Sequence, residues 1–488
     1  MKNHLPFKFV LFVLFILIEG VCLCQKYGNI WQFGNQIGLD FNSCEPEVIT
    51  GANIGFEGCA AISDSTGQLL FYTNSDKVWD KEHNVMPNGI INNTSGTLSQ
   101  VIIIPKPLSS NIYYIITTKP QAAMDNLLSY HVIDLTLNGG LGDVQSSDNV
   151  MSNLIIAEQI AATYHSNGTD IWLMAHEYET SKFLAFLVNG NGISNDPVIS
   201  DIGPAHQNCS SNINARGEIK FSPDGTRLVM NANGIGTGGP QGVNVTTSFL
   251  ALFDFDNNTG VVSNPINLPF SRGEYGVSFS PDNSKLYGTT WKSFGFSMQD
   301  YNYLYQFDLT SNNPQQIIDS KQIIDSMLVP TSYGTLNIGP NGKIYVRYIS
   351  ENYLGVIQFP NLTGEQCGYQ RNGLYLGEIS DVFQYGLNHY IEYQDYCDSH
   401  VYVMDSLPQP KLYIYPNPLT SQSKLISNVP LSDATLNIFS CQGDLVLQIR
   451  NVNQHLVEIN RDHLNNGLYF LTVEENDEII YREKLVVE

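Results

Sequence analysis

"FSPDGTRLVMN" (residues 221–231) and "FSPDNSKLYGTT" (279–290) are two copies of one pattern: an apolar strand end, a Ser-Pro-Asp turn closed by Gly or Asn, and a second apolar strand. Proline presets φ at the first turn position and Gly or Asn tolerates positive φ, so each copy joins two antiparallel strands. Looser copies stand at "SDSTGQLLFYT" (63–73), "PLSSNIYYIITT" (107–118), "YHSNGTDIWLMAH" (164–176) and "IGPNGKIYVRY" (338–348). Measured at Gly67, Asn111, Gly168, Gly225, Asn283 and Gly342, the steps are 44, 57, 57, 58 and 59 residues. A regular step of this size marks a stacked or radial repeat.

Each anchor is followed by a second hairpin, as in "FLALFDFDNNTG" (249–260) and "YLYQFDLTSNN" (303–313), where apolar residues alternate into an Asp-bearing turn. Four short strands per unit is the make-up of a propeller blade. "NIWQFGNQIGLDFNS" (29–43) carries the second and third strands of such a unit with no first strand before them. The uncommitted stretch "FQYGLNHYIEY" (383–393) can supply it from the far end of the repeat. The expected architecture is therefore an all-β, seven-bladed β-propeller, with six or eight blades as the alternatives. Pairing of residues 383–393 with the 29–49 blade would close the ring and leave no open sheet edge.

Outside the repeat, Lys2 and Lys8 flank the apolar run "FVLFVLFILI" (9–18), which reads as a secretory signal over residues 1–24 with cleavage before Gln25. The formal net charge is −23, and removing Lys2, Lys8 and Glu19 makes it −24. Such a surface repels phosphate backbones and anionic lipid, which argues against a nucleic-acid partner. No later stretch is apolar enough to span a bilayer as a helix. Export permits disulfides among the six remaining cysteines, and the pairs nearest in sequence are Cys44 with Cys59 and Cys367 with Cys397.

The opening unit, with "EGCAAISDSTGQLLFYTNSDKVWDKEHNVMPNG" (57–89) and "SQVIIIPKP" (99–107) before "IYYIITT" (112–118), resembles the propeller-type ectodomain of secreted Bacteroidota proteins that end in type IX sorting tails. The resemblance covers roughly residues 25–396 and implies a scaffold without a settled activity. Beyond a polar linker at 397–410 the repeat stops. Residues 411–488 alternate through about seven short strands, as expected of a small β-sandwich. This tail resembles the type A C-terminal sorting domain of type IX secretion. The matching residues are Pro416, Asn417 and Pro418, then Gly443 in a central turn, then Leu464, Gly467 and Tyr469 in "LNNGLYFL", and Lys484 near the end. The resemblance implies Sec export, recognition of the folded tail by the type IX machinery, passage through the outer membrane, and release or attachment at the surface.

No G-x-S-x-G, H-E-x-x-H or G-x-x-x-x-G-K pattern occurs. "DFDNNTG" (254–260) lacks the span and terminal Glu of a calcium loop and reads as a hairpin turn. Trp31, Trp79, Trp172 and Trp291 would suit a sugar if exposed and would otherwise pack between blades. One pattern repeats with the blades: Glu57, Gln100, Glu158, Glu218 and Glu274 stand just before the innermost strands, where a ring of acceptors at the channel rim could take calcium or a hydroxyl-rich ligand. Polar residues solvating a wet channel would look the same. Two functions follow: a secreted or surface binding protein for a glycan or protein, with no cofactor, or a polysaccharide hydrolase or lyase using acidic rim residues.

Overall fold

The computed structural model describes residues 26–487 apart from 56, 92–99, 119–126, 207–214, 234–247, 270–272, 292–299, 330, 350, 378–385, 392–395, 398–411, 428–430, 462–463 and 476–477. The leader, Cys209, most of the glycine-rich 233–242 stretch and most of the linker therefore lie outside the described residues.

The Ser-Pro-Asp turns form for a local reason. Asp224 Oδ1 accepts the Thr226 N–H at 3.0 Å, and Ser222 Oγ accepts the Arg227 N–H at 2.9 Å. Asp282 and Ser280 repeat the arrangement on Ser284 and Lys285, at 3.0 and 2.8 Å. Gly225 and Asn283 take the positive φ that closes each turn, 66° and 64°. Asp256, in the calcium-like stretch, is likewise occupied by its own turn, accepting from the Asn258 N–H at 2.9 Å and the Thr259 hydroxyl at 2.7 Å.

Among the described residues these turns and the second hairpins build seven antiparallel blades. Blade 1 holds Ile30–Phe33, Asn35–Asp40 and Glu47–Ile54, and blade 2 runs from Ala60–Ser63 to Val85–Ile90. Blades 5, 6 and 7 are four-stranded units that begin at Ile219–Phe221, Glu274–Phe279 and Tyr333–Ile338. Blades 3 and 4 share one 22-residue strand, Asp143–Tyr164. Its first half pairs with Leu127–Asp134 as the outer strand of blade 3, and its second half pairs with Ile171–Glu177 as the inner strand of blade 4.

The core lies between blades. Trp172 and Phe183 of blade 4 pack on Leu228 and Phe253 of blade 5, and similar apolar clusters join each following pair. Trp31 and Phe33 of blade 1 meet Tyr345 and Leu354 of blade 7, which makes the ring continuous. The chain is thus a seven-bladed β-propeller. The interface of blades 1 and 2 is the thin one, with Ala61, Tyr72 and Trp79 as its buried residues. Trp31, Trp79 and Trp172 are buried between blades and Trp291 packs edge-on against Tyr275 at 5.4 Å, so the tryptophans do not form an exposed sugar platform.

Ring closure differs from the expected ladder. Of residues 383–393, 386–391 are described, and their one bridge is parallel, Asn388 with Cys59 at the start of blade 2. Among the described residues no ladder joins them to blade 1. Their backbone groups are instead met by both neighbours: the Leu387 N–H by Thr335 Oγ1 at 3.0 Å, the Asn388 carbonyl by the Asn337 amide, and the His389 N–H by the Cys59 carbonyl at 2.7 Å. Leu387 is buried with Trp31 and Phe33, and the Tyr390 ring lies 6.0 Å from Trp31. The segment acts as a wedge between blades 7 and 2 in the place of a first strand. A chain stopped at residue 380 is expected to aggregate, because it opens this apolar seam, whereas one stopped at 396 stays monodisperse; light scattering on the two checks this.

The disulfide expectation is corrected as well. Cys44, Cys59, Cys367 and Cys441 are free thiols, so neither Cys44–Cys59 nor Cys367–Cys397 is formed. Cys59 and Cys367 are buried, and burial pushes their thiols up to about 11 and about 12, the latter beside Tyr287. Nearness in sequence did not become nearness of side chains, because Cys44 sits in the turn after Asn35–Asp40 while Cys59 opens the inner strand of the next blade.

The tail forms two packed sheets. One contains Leu412–Tyr415, Gln422–Ser427 and Leu456–Asn460, and the other contains Leu445–Val452, Ala434–Ser440, Gly467–Glu475 and Glu478–Val487. Leu425, Leu436, Ile438, Leu471, Val473 and Leu485 are among its own buried core.

Candidate functional site: the central channel and the sorting tail

The inner strands begin at one end of the channel, and the structure separates the five residues expected there. Glu57 accepts the hydroxyl of Tyr275, which crosses from the inner strand of blade 6. Burial pushes the Glu57 carboxyl up to about 7; the Tyr275 bond and Arg216 hold it back, and the charge of Glu218 raises it. Burial, then the charges of Glu57, Glu218 and Glu158, hold the Tyr275 phenol well above its ordinary value.

Glu218 Oε2 accepts the Val277 N–H at 2.8 Å and lies 3.9 Å from Lys220 Nζ. Its pKa is raised by burial against the pull of Lys220 and that amide. Lys220, almost fully buried, also donates to the Leu336 carbonyl and to Asn337 Oδ1, so it spans the channel from blade 5 to blade 7. Gln100 is used up on backbone, donating to the Gly217 carbonyl at 2.9 Å and accepting the Ile160 N–H at 3.3 Å.

Glu158 stands within electrostatic reach of Tyr275, and Glu274 does not join this group. Glu158 is buried, and its carbonyl accepts the Thr118 hydroxyl at 3.0 Å. Glu274 turns into its own blade to accept the hydroxyl of Tyr305 from the third strand. Of the five expected rim residues, Glu57, Gln100 and Glu218 line one pocket, together with Lys220, Asn337 and His389 among others. The enclosed space is about 30 Å³, room for about one water. Among the described residues no three His, Cys, Asp or Glu side chains come together to hold a metal ion. A calcium ion needs six to eight oxygens, and a lining that carries Lys220 does not fit it.

Lys220, Tyr275, Asn337 and His389 were not singled out in the sequence. The available signal was Lys220, a lone cation inside an inner strand two residues after Glu218, where period two puts both on one face. Burial and the charge of Lys220 push His389 down to about 3.

In the tail, Asn417 explains much of its motif. Its Nδ2 donates to the Lys484 carbonyl at 2.6 Å and its Oδ1 accepts the Val486 N–H at 2.9 Å, tying the start of the domain to its last strand. The Pro416 carbonyl accepts from Ser423 Oγ, and beyond Pro418 the Leu419 N–H bonds the Val486 carbonyl at 2.7 Å. Gly443 takes φ 91° in the Ser440–Asp444 turn. Leu464 and Tyr469 are buried, the Tyr469 hydroxyl donating to the Asn465 carbonyl at 2.9 Å, while Gly467 starts the strand opposite Val487. The Lys484 side chain is exposed.

Residues 413–488 match the family described as the secretion system C-terminal sorting domain. No curated protein matches the chain. Similar solved structures include hydrazine synthase of Kuenenia stuttgartiensis, 11% identical over 75% of this chain and 88% of that one, with a TM-score of 0.35. PorZ, a surface component of the type IX secretion system of Porphyromonas gingivalis, is 10% identical over 95% and 74%, with a TM-score of 0.32. A putative 6-phosphogluconolactonase of Bacteroides fragilis is 12% identical over 74% and 96%, with a TM-score of 0.41. Likeness at this level carries no functional argument, and the propeller assignment rests on the seven blades themselves.

Proposed function

We propose, from the premise that this chain is a type IX secretion cargo whose C-terminal sorting domain takes a seven-bladed propeller to the cell surface or the medium, that the propeller is a binding module for an extracellular glycan or protein. Among the described residues no helix is long and apolar enough to cross a membrane. The observation that supports binding over hydrolysis is the use of the channel carboxylates by the protein itself. Glu57 is held by Tyr275, Glu218 by Lys220 and the Val277 amide, and Glu274 by Tyr305. A glycosidase needs two carboxyl groups flanking a space that admits a sugar ring, whereas the pocket that Glu57 and Glu218 share holds about 30 Å³.

The test is a panel of glycans and extracellular proteins presented to the mature chain, with polysaccharide turnover measured in parallel. Saturable binding without turnover is expected, and the paired substitutions Glu57→Gln and Glu218→Gln should leave that binding within about twofold, since they keep size and hydrogen-bonding capacity. Turnover that disappears in this variant would instead establish the hydrolase or lyase reading.

A further inference from the structure

The seam between blades 1 and 2, whose apolar cluster holds three buried residues, opens outward into a cleft of about 540 Å³. That volume lies within the range of small-molecule sites, about 300–1,000 Å³. One wall comes from the Asn35–Asp40 and Glu47–Ile54 strands, the other from the turns after Ala60–Ser63 and Lys77–Asp80.

The cleft is held rigid. Asn42 Nδ2 donates to the Gly67 carbonyl at 2.9 Å, and Asn29 Nδ2 donates to Asn42 Oδ1 at 3.1 Å, which fastens one wall to the other. On the far side Trp79 stacks on Tyr72 at 5.3 Å, and the Tyr72 ring meets His83 edge-on at 5.7 Å. The Tyr72 hydroxyl accepts the Ala52 N–H at 2.9 Å and lies 2.9 Å from His83 Nδ1. That contact engages Nδ1 and leaves Nε2 of the exposed ring as the nitrogen open to a ligand hydroxyl. His83 keeps this place at φ 67°, a conformation unusual for a non-glycine residue and one that clusters at functional sites.

Asp40 Oδ1 accepts the Asn42 N–H at 2.8 Å, leaving its second oxygen as an acceptor at the cleft. Lys81 lines the same space and makes no ion pair among the described residues. Between these polar groups Val48 is 43% exposed and Leu69 is partly exposed, giving the cleft an apolar surface. Donors and acceptors around an apolar strip match one chemical class, a pyranose ring, whose hydroxyls need both kinds of partner and whose C–H face needs an apolar one.

We infer that the cleft between blades 1 and 2 binds a sugar unit of an extracellular glycan, with Asp40, Lys81 and His83 holding its hydroxyls and Val48 and Leu69 lying against its ring. This inference rests on the reading of the propeller as a binding module and narrows it to glycans and to one site, away from the channel.

The experiment uses the mature chain on arrays of neutral and uronate-containing oligosaccharides, followed by calorimetry with the best binder. Asp40→Asn keeps the bond to the Asn42 amide, Lys81→Ala alters an exposed side chain, and His83→Asn installs a residue that tolerates positive φ. Each is expected to weaken binding about tenfold, the scale of one charge-assisted or well-placed hydrogen bond, with an unchanged melting temperature for Asp40→Asn and Lys81→Ala, whereas His83→Asn also gives up the contact with Tyr72. Loss in the three variants supports the site whether the best binder is neutral or acidic. Sugar binding that all three leave intact overturns the inference while the binding-module reading stands. If no oligosaccharide binds the unmodified chain, the inference falls and the protein-ligand half of that reading remains.

Discussion

A chain ending at Pro410 stays in the periplasm, with its level in the medium and on the cell surface falling to background. The expectation follows from the independence of the tail. Its two sheets enclose their own core around Leu436, Ile438, Leu471 and Leu485, and no residue of that core belongs to the propeller clusters. Removing it therefore leaves the propeller folded and takes away the secretion signal. The same independence predicts that residues 411–488 export a folded reporter. Asn417→Ala tests the mechanism more finely. It removes the bonds to the Lys484 carbonyl and the Val486 N–H, both at the exposed edge of the domain, at a cost of about 0.5–1.5 kcal/mol each, and frees the motif from the last strand. Cell fractionation with immunoblotting reads all three, and normal surface or medium levels of the truncated chain would refute the sorting role.

Acid unfolds the propeller well before its carboxylates alone would require. His131, His176 and His206 are fully buried. Burial pushes His131 down to about 4, with Asp148 opposing, and His206 down to about 3. His176 is held well below the usual range by burial and by His206, whose Nδ1 lies 3.0 Å from its own. In the unfolded chain each titrates near 6.5. Below that pH the unfolded chain binds more protons than the folded one, so stability rises with pH there. The contribution of these residues is complete above about 6.5 and is lost as pH falls toward their folded values. At about 1.4 kcal/mol per pH unit per group, the loss at pH 4.5 is roughly 2–3 kcal/mol for each of His131 and His206, a large part of the 5–15 kcal/mol typical of a domain, and His176 acts in the same direction. Glu57 opposes this: its folded value of about 7 lies above 4.5, so its destabilising effect fades as pH falls through the same window. Glu218 and Asp76, whose carboxyls burial also raises, the latter to about 6, act in the same direction as Glu57, and the buried histidines are expected to set the sign of the net change. Thermal melts between pH 7.5 and 4.5 should show a steep fall, and a melting temperature that holds or rises would contradict the assignment.

Much of the fold was legible because its determinants are local. The Ser-Pro-Asp turns are closed by side chains bonding backbone two to five residues away, as Asp224 does with Thr226 and Ser222 with Arg227. Such bonds depend only on the residues that make them, so their spacing counted the blades. The tail was readable for a related reason, since Pro416, Asn417 and Gly443 sit at turns that demand those residue types.

The channel was not readable to the same degree. Glu57, Glu158, Glu218 and Glu274 look equivalent in sequence, each just before or at the start of an inner strand. Two of those strands begin with irregular pairing, with register shifts between Ile156 and Ile160 and between Glu274 and Val277, and another opens the last blade between Tyr333 and Leu336. A shift of one residue sends every preceding side chain to the opposite face of a strand. Glu274 consequently enters its own blade to meet Tyr305, while Glu57 reaches Tyr275 from another. The partners of Lys220 at Leu336 and Asn337 lie more than a hundred residues along the chain, and the closing wedge takes its bonds from Thr335, Asn337 and Cys59. Local turn chemistry therefore set the number and order of the blades, and packing of distant strands, with bulges that no periodicity reveals, set which polar groups meet in the channel.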